Sequence, residues 1–386
     1  MNQRTKTSLP AILALGCALP AYRVHQADVG QWMSQSLGHP PTLSRWITRL
    51  YERSGIDTRY TCLPDSLHDP APSRFAPGCP IERVATTAER MAIYEREAVP
   101  IGVAAARNAL AALAPSAATP DDLAAAAATI THLIAVSCTG FFAPSLDQAI
   151  ARALGLPATV ERTLIGFMGC AAAFNALRLA NQIVQAQPNA RVLIVCVELC
   201  SLHIQPGTRK IDLIVASLFS DGAGACIVGR PDAASNGDHF ALRGFHTALT
   251  PDTNDFMVWQ IGNHGFVLNL APQIPAQLAL AAPAALHTLM GATRPQFWAI
   301  HPGGRSIIES LSTAFDLQPS DTEVSRTILR EIGNISSATI LHVLHTFQQR
   351  MRATVTAPQS GVAMAFGPGL VTEMAHLEYV PPSTDS

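Results

Sequence analysis

One strand, loop and helix arrangement occurs twice in this chain, and each copy delivers reactive side chains at matching places. In the first copy, residues 131–136 (Thr-His-Leu-Ile-Ala-Val) read as a buried strand running into Ser137-Cys138-Thr139-Gly140, and Gly169-Cys170 opens an apolar helical run. In the second, residues 296–300 (Gln-Phe-Trp-Ala-Ile) run into His301-Pro302-Gly303-Gly304, and Gly333-Asn334 opens another such run. The spacing is 32 residues from Cys138 to Cys170 and 33 from His301 to Asn334. A matched repeat of this kind restricts the chain to duplicated, similarly folded units. Packed about a pseudo-twofold axis, those units bring Cys170, His301 and Asn334 to one site: a thiol nucleophile, a base and an amide hydrogen-bond donor.

At 386 residues the chain has room for about two to three domains on length alone. The repeat favours two intimate halves, 1–235 carrying Cys170 and 236–386 carrying His301 and Asn334, with the boundary in the polar, turn-forming stretch from Pro231 to Asp238. Apolar residues make up 48% and charged residues 14%, against roughly 25% charged in an average domain. So little charge implies a large core and an apolar subunit interface, hence a homo-oligomer. A net charge of -2 leaves no electrostatic footprint for nucleic acid.

The eight cysteines are scattered, with no disulfide framework and no zinc spacing, which fits a reduced cytoplasmic protein without a metal. Arg4 and Lys6 precede an apolar stretch from Leu9 to Ala21 that mimics a signal peptide, but Pro10 and Pro20 bracket the length of one buried strand. No stretch reaches the roughly 18 continuous apolar residues of a membrane span.

The pattern along the chain is α/β. Residues 11–16 read as a strand, 26–55 as helical, 61–82 as a proline-rich loop, 87–114 as an amphipathic helix and 115–129 as a solvated linker and helix. Residues 191–197 and 224–229 are continuous apolar strands, as in sheets covered on both faces.

Cys170 carries the strongest local signal, a thiol at a Gly-hinged turn into a helix rich in small residues. A helix N-terminus favours thiolate and lowers its pKa; the plain alternative is an inert buried cysteine. His301 follows an apolar strand, at the end where ligands bind in α/β sheets, although one histidine of thirteen is weak evidence alone. Asn334 on its own also reads as an N-cap. The repeat joins the three.

Gly-Phe-Met-Gly-Cys170, Leu218-Phe219-Ser220-Asp221-Gly222-Ala223, His301-Pro-Gly-Gly, Gly-Asn334-Ile-Ser-Ser and Phe366-Gly367-Pro368-Gly369 together resemble the motif set of type III polyketide synthases, the chalcone synthase family, over residues 10–375. The resemblance implies a thiolase-like fold of five layers, α-β-α-β-α, in two halves each with a mixed central sheet. It implies a homodimeric acyltransferase that loads an acyl-CoA starter on Cys170 and extends it by decarboxylative condensation with malonyl-CoA, with His301 and Asn334 as catalytic partners. CoA thioesters are the substrates and no further cofactor is implied. Phe219 matches an aromatic gatekeeper, Ser336 lies in the Asn334 motif, and Gly367 and Pro368 match the loop shaping the cavity floor.

The chain departs from the plant pattern at cavity positions. Cys138 replaces a Thr, as in bacterial members, His203 replaces a small Thr, and Trp259, shortly before Phe266, stands where a Gly shapes the plant cavity. Arg53 and Arg59 lie in the segment implied to bind the CoA phosphates. The product, whether pyrone, resorcinol or another aromatic, stays open. So do two alternatives: a single-round β-ketoacyl synthase of the fatty-acid-initiating type, and a non-catalytic acyl-binding relic of the fold.

Overall fold

The computed structural model describes residues 8–113, 119–231 and 237–382. Most of the expected half boundary, and Arg4 and Lys6, lie outside the described residues. The chain opens with β1 (Ala11–Ala18), a short β2 (Tyr22–His25), helices α1 (Gln26–Ser36) and α2 (Pro41–Glu52) and a short β3 (Thr58–Thr61). Long α3 (Thr87–Leu113) and α4 (Pro120–Ala128) follow, then β4 (His132–Ser137), α5 (Leu146–Leu154), β5 (Glu161–Gly166) and α6 (Ala172–Ala186). Next come β6 (Val192–Leu199), α7 (Lys210–Leu218) and β7 (Asp221–Gly229). The remainder runs β8 (His239–Leu249), the hairpin β9 (Met257–Gly262) and β10 (Gly265–Leu270), α8 (Ile274–Met290), β11 (Phe297–Ile300), α9 (Arg305–Ala314) and α10 (Glu323–Ile332). It ends with α11 (Thr339–Thr354), β12 (Gln359–Gly367) and β13 (Val371–Val380).

Helical structure expected across 26–55 is broken between α1 and α2. Gly38 and His39 both turn to positive φ, 73° and 52°, and Pro40-Pro41 follow, which biases the preceding residue away from the helical region and starts the next helix.

Nine of the described strands form one sheet in the order β11-β12-β13-β8-β1-β7-β6-β4-β5. That order repeats a single pattern outward from its middle. In the first half β1 pairs antiparallel with β7, β7 antiparallel with β6, and β6 parallel with β4. In the second, β8 pairs antiparallel with β13, β13 antiparallel with β12, and β12 parallel with β11. The two half-sheets join where β1 meets β8, at Ala11↔Ala241 and Ile12↔Phe240, so the expected two sheets are continuous at that seam.

Strand alternation sends neighbouring side chains to opposite faces. In β6, Val192, Ile194 and Cys196 face a central core shared with α6 and α11, while Leu193, Val195 and Val197 face an outer core with α3. In β11 and β12, Phe297, Ala299, Ala363 and Ala365 face the centre, and Trp298, Ile300, Val362 and Met364 face outward to α8. Fully buried aliphatic and aromatic side chains of this kind contribute roughly 1.5–3 kcal/mol each. The result is the five-layer α-β-α-β-α architecture, with α6 and α11 in the middle layer. Cys170 and Asn334 stand just before those two central helices, and His301 at the end of β11.

Candidate active site

Gly169 turns the chain from β5 into α6 with φ +66°, and a Cβ there would stand 2.3 Å from Pro368 Cδ. Only glycine meets both demands. A 3-10 turn over Gly169–Ala171 then leads into α6 and sets Cys170 at the helix entrance. Its Sγ lies 3.7 Å from Ser336 Oγ, with the Asn334 amide as a second partner.

Asn334 is held from several sides. Its backbone N-H donates to Leu218 O at 3.0 Å, and its carbonyl accepts from Ser220 N at 2.8 Å. The side-chain Oδ1 accepts from Ser336 N at 2.8 Å, which turns Nδ2 toward Gly303 O at 3.2 Å and leaves a second amide hydrogen for a ligand. Ser220 and Leu218 flank Phe219, so the same residue fixes the backbone on both sides of Phe219.

His301 N-H donates to Met364 O at 2.8 Å, tying the loop after β11 to β12. The ring is buried, and among the described residues neither nitrogen has a hydrogen-bond partner. Burial pushes its pKa down to about 3, so the imidazole is neutral near pH 7.

Cys170, His301, Asn334, Ser336, Phe219, Cys138, His203, Trp259, Phe266, Phe366 and Pro368 all line one cavity of about 1240 Å³. Gly367 does not. A Cβ at Gly367 would stand 2.9 Å from Met168 O and 3.3 Å from Ala171 Cβ, so this glycine packs beneath the nucleophile's turn rather than against a substrate.

The thiol differs from the sequence expectation. Removal from water pushes Cys170 up to about 12, opposed by the Ser336 hydroxyl and the Asn334 amide and reinforced by Glu198. Burial therefore opposes the helix end at Cys170 and favours the neutral thiol, as it favours the neutral imidazole at His301.

Glu198, which the local sequence does not single out, ends β6 fully buried between the two copies. It accepts from Cys138 N at 3.0 Å, from Thr139 Oγ1 at 2.8 Å and from Ser337 Oγ. Burial pushes its pKa up to about 7 despite those donors.

Cys138 packs behind the nucleophile, where Gly169 N-H donates to its Sγ at 3.1 Å. His203 bridges two chain segments: Phe266 N-H donates to Nδ1 at 2.9 Å, which fixes the proton on Nε2, and Nε2-H donates to Thr139 O at 2.7 Å. Its ring stacks on Phe266 at 4.3 Å and meets Trp259 edge-on, and Trp259 Nε1-H donates to Cys138 O at 2.7 Å.

Of the two arginines expected at the CoA phosphates, Arg53 is exposed on the cavity lining. Arg59 is buried instead, and its Nη1 donates to Ala216 O at 2.6 Å and Phe219 O at 2.7 Å. That guanidinium fixes the segment from Ala216 to Phe219 and is not free for phosphate. Exposed Arg49, Lys210 and Arg305 also line the cavity. Arg305 follows His301-Pro-Gly-Gly directly and Lys210 is one of two lysines, signals the sequence offered.

Residues 1–232 match the family described as chalcone and stilbene synthases, N-terminal domain, and residues 242–381 match its C-terminal domain. The chain is 31% identical to an alpha-pyrone synthesis polyketide synthase-like protein, Pks18, of Mycobacterium tuberculosis, over 95% of this chain and 90% of that protein. It is also 31% identical to type III polyketide synthase 21 of Oryza sativa subsp. japonica, over 94% of this chain and 92% of the relative. The crystal structure of PKS-I from the brown alga Ectocarpus siliculosus superposes with a TM-score of 0.85 at 29% identity, covering 98% of this chain and all of that one.

Proposed function

The chain belongs to the chalcone and stilbene synthase family of type III polyketide synthases, and from that premise we propose that it loads an acyl-CoA starter on Cys170 and extends it with malonyl-CoA. The carrying observation is one cavity that holds the Cys170 thiol, the unpaired ring nitrogens of His301 and the Asn334 amide beside the thiol.

His301 takes the Cys170 proton, and the thiolate attacks the acyl-CoA carbonyl, releasing the CoA thiol as the proton returns. Thiolate and imidazolium form together, so their attraction offsets part of the desolvation each meets alone. Malonyl-CoA then loses carbon dioxide, and the enolate carbon attacks the Cys170 thioester carbonyl; the C-S bond breaks, Cys170 leaves as thiolate and the chain, two carbons longer, is carried as its CoA thioester. A neutral His301 donates one N-H and Asn334 Nδ2 the other to the oxygen that gathers charge. Asn cannot ionise and so leaves His301 neutral. These steps need no metal or flavin, because the leaving groups are a thiol and carbon dioxide.

Exposed Arg49, Arg53, Lys210 and Arg305 on the cavity lining support CoA phosphate binding at the mouth. Cyclisation of the extended chain to a pyrone is supported by the name of the mycobacterial relative. The domain division at 235/236 separates the thiol from the imidazole and amide. Free cysteines throughout the described chain support a reducing, cytoplasmic setting.

A homodimer is supported by β5, an edge strand with one ladder partner and exposed side chains. Leu164 in β5 and Met168 just after it are 39% and 43% exposed, near the partly exposed Phe141.

Purified protein incubated with a panel of acyl-CoA starters and malonyl-CoA is expected to give products longer than one condensation by mass. Cys170→Ala is expected to lower their formation by more than about a hundredfold, as loss of a covalent nucleophile does. Products limited to one condensation would favour the single-round synthase.

A further inference from the structure

Arg90, on α3, is the largest fully buried side chain, and among the described residues no carboxylate pairs with it. A buried guanidinium without a counter-ion is expensive. Here Nε and Nη1 serve backbone, and Nη2 has no hydrogen-bond partner among the described residues. Nε donates to Ala85 O at 2.9 Å, and Nη1 donates to Leu202 O and to Ile204 O at 3.1 Å. Those two carbonyls bracket His203, so one nitrogen grips the chain on both sides of it. The guanidinium lies over the Phe75 ring, 5.0 Å from its centroid.

Gly265 closes the joint from the other side. A Cβ there would stand 3.1 Å from Arg90 Cδ and 3.1 Å from His203 Nδ1. Gln205 Nε2 adds bonds to the carbonyls of His203 at 2.9 Å, His264 at 3.3 Å and Phe266 at 3.0 Å. His203, Trp259 and Phe266 line the cavity, and Arg90 does not.

His203 can accept from Phe266 N-H only while its ring is neutral. Burial holds its pKa down at about 3, and the nearby Arg90 cation adds to that.

We propose that Arg90 is a positioning residue for chain length: it clamps Leu202 to Ile204 so that the wall of His203, Phe266 and Trp259 stands at a fixed place and limits how many malonyl units are added. The proposal rests on the extension chemistry assigned above to this cavity. Arginine suits the task because its planar fork reaches three carbonyls at once, which a lysine ammonium on a flexible stem does not.

The test uses Arg90→Lys and Arg90→Gln with one starter acyl-CoA and malonyl-CoA, reading product masses, acylation of Cys170 by intact mass, and melting temperature. Expected are acylation within about threefold of wild type and a rise of at least about fivefold in the share of longer products, as a loosened supporting shell gives. Gly265→Ala wedges the same joint from the opposite side and is expected to give the same shift, which serves if the Arg90 variants fail to fold. In a His203→Ala background, Arg90→Lys is expected to add no further shift, because Arg90 acts through His203. Unchanged product masses in folded Arg90→Lys or Gly265→Ala, or an equal fall in acylation and extension, overturns the proposal while leaving the extension chemistry standing. A wild-type protein that extends no starter overturns both.

Discussion

At the scale of single residues, the resting thiol and imidazole make the nucleophile conditional on its partner. Alone, the Cys170 thiol is held up at about 12 and His301 down at about 3. Proton transfer between them keeps the site neutral overall. His301→Gln is therefore expected to slow iodoacetamide alkylation of Cys170 by about tenfold or more, an energy difference of roughly 1.4 kcal/mol or above. Equal rates in the two proteins would show that the thiolate forms without the imidazole. Glu198 gives a second prediction, from linkage. Its folded pKa of about 7 lies above the usual 4.5, so folding favours the protonated acid. Its effect is neutral below about pH 4.5, and stability falls as pH rises from there toward 7, by on the order of 3 kcal/mol at most. Against Glu198→Gln, the wild type is expected to lose relative stability across that window in denaturant titrations, and parallel curves would refute it. Cys170, His301 and Asn334 were legible in sequence because each sits in a local turn pattern. Glu198 and Arg90 were not, since their partners lie up to 139 and 114 residues away, and only the fold brings them together.

At the scale of elements, the turn between β5 and α6 is the most constrained piece of the site. Gly169→Ala adds roughly 1–2 kcal/mol of left-handed strain and a methyl overlapping Pro368, 2.3 Å away. The Pro368 loop and the Cys170 turn must then part. Displacement near 1 Å costs about a hundredfold in rate, and that loss of product formation is expected. Gly155→Ala, at φ +66° with nothing within 4 Å, is the control. It carries the strain without the overlap and is expected to keep full activity, with only a lower melting temperature. Equal activities in the two variants would mean that packing against Pro368 does not set the nucleophile's place. Strands and the long α3 were readable from hydrophobic runs, and Gly38 with Pro40-Pro41 marks the break between α1 and α2 that a single helical reading of 26–55 passes over; only the positive φ at His39 is not announced by its residue type. Gly367 shows a related limit: a glycine in a motif shows where space is short, but not which neighbour takes that space.

At the scale of the whole molecule, the repeat spacing predicted two similar halves, and strand pairings β1-β7-β6-β4 and β8-β13-β12-β11 bear this out. Their fusion into one sheet was not legible, because two residue pairs across β1 and β8 leave no pattern in either strand. On the outer edge, β5 has no such counterpart in the second half. If a second copy covers it, Leu164→Arg places a charge in that contact and is expected to halve the mass in sedimentation equilibrium. A wild-type monomer, or an unchanged dimer in the variant, would place the interface elsewhere. The duplication also has a geometric consequence at its axis. Cys138 and His301 both follow the strands β4 and β11, and Cys170 and Asn334 both precede the central helices α6 and α11. A strictly symmetric pair of units would present the same side chains twice, two thiols facing two thiols or an imidazole and amide facing another imidazole and amide. Such a centre has no polarity: it cannot tell donor from acceptor, or the end where an acyl group is held from the end where charge collects. This chain holds sulfur on one side of the axis and imidazole with amide on the other, so the direction of carbon-carbon bond formation is set by broken symmetry in an otherwise repeated frame.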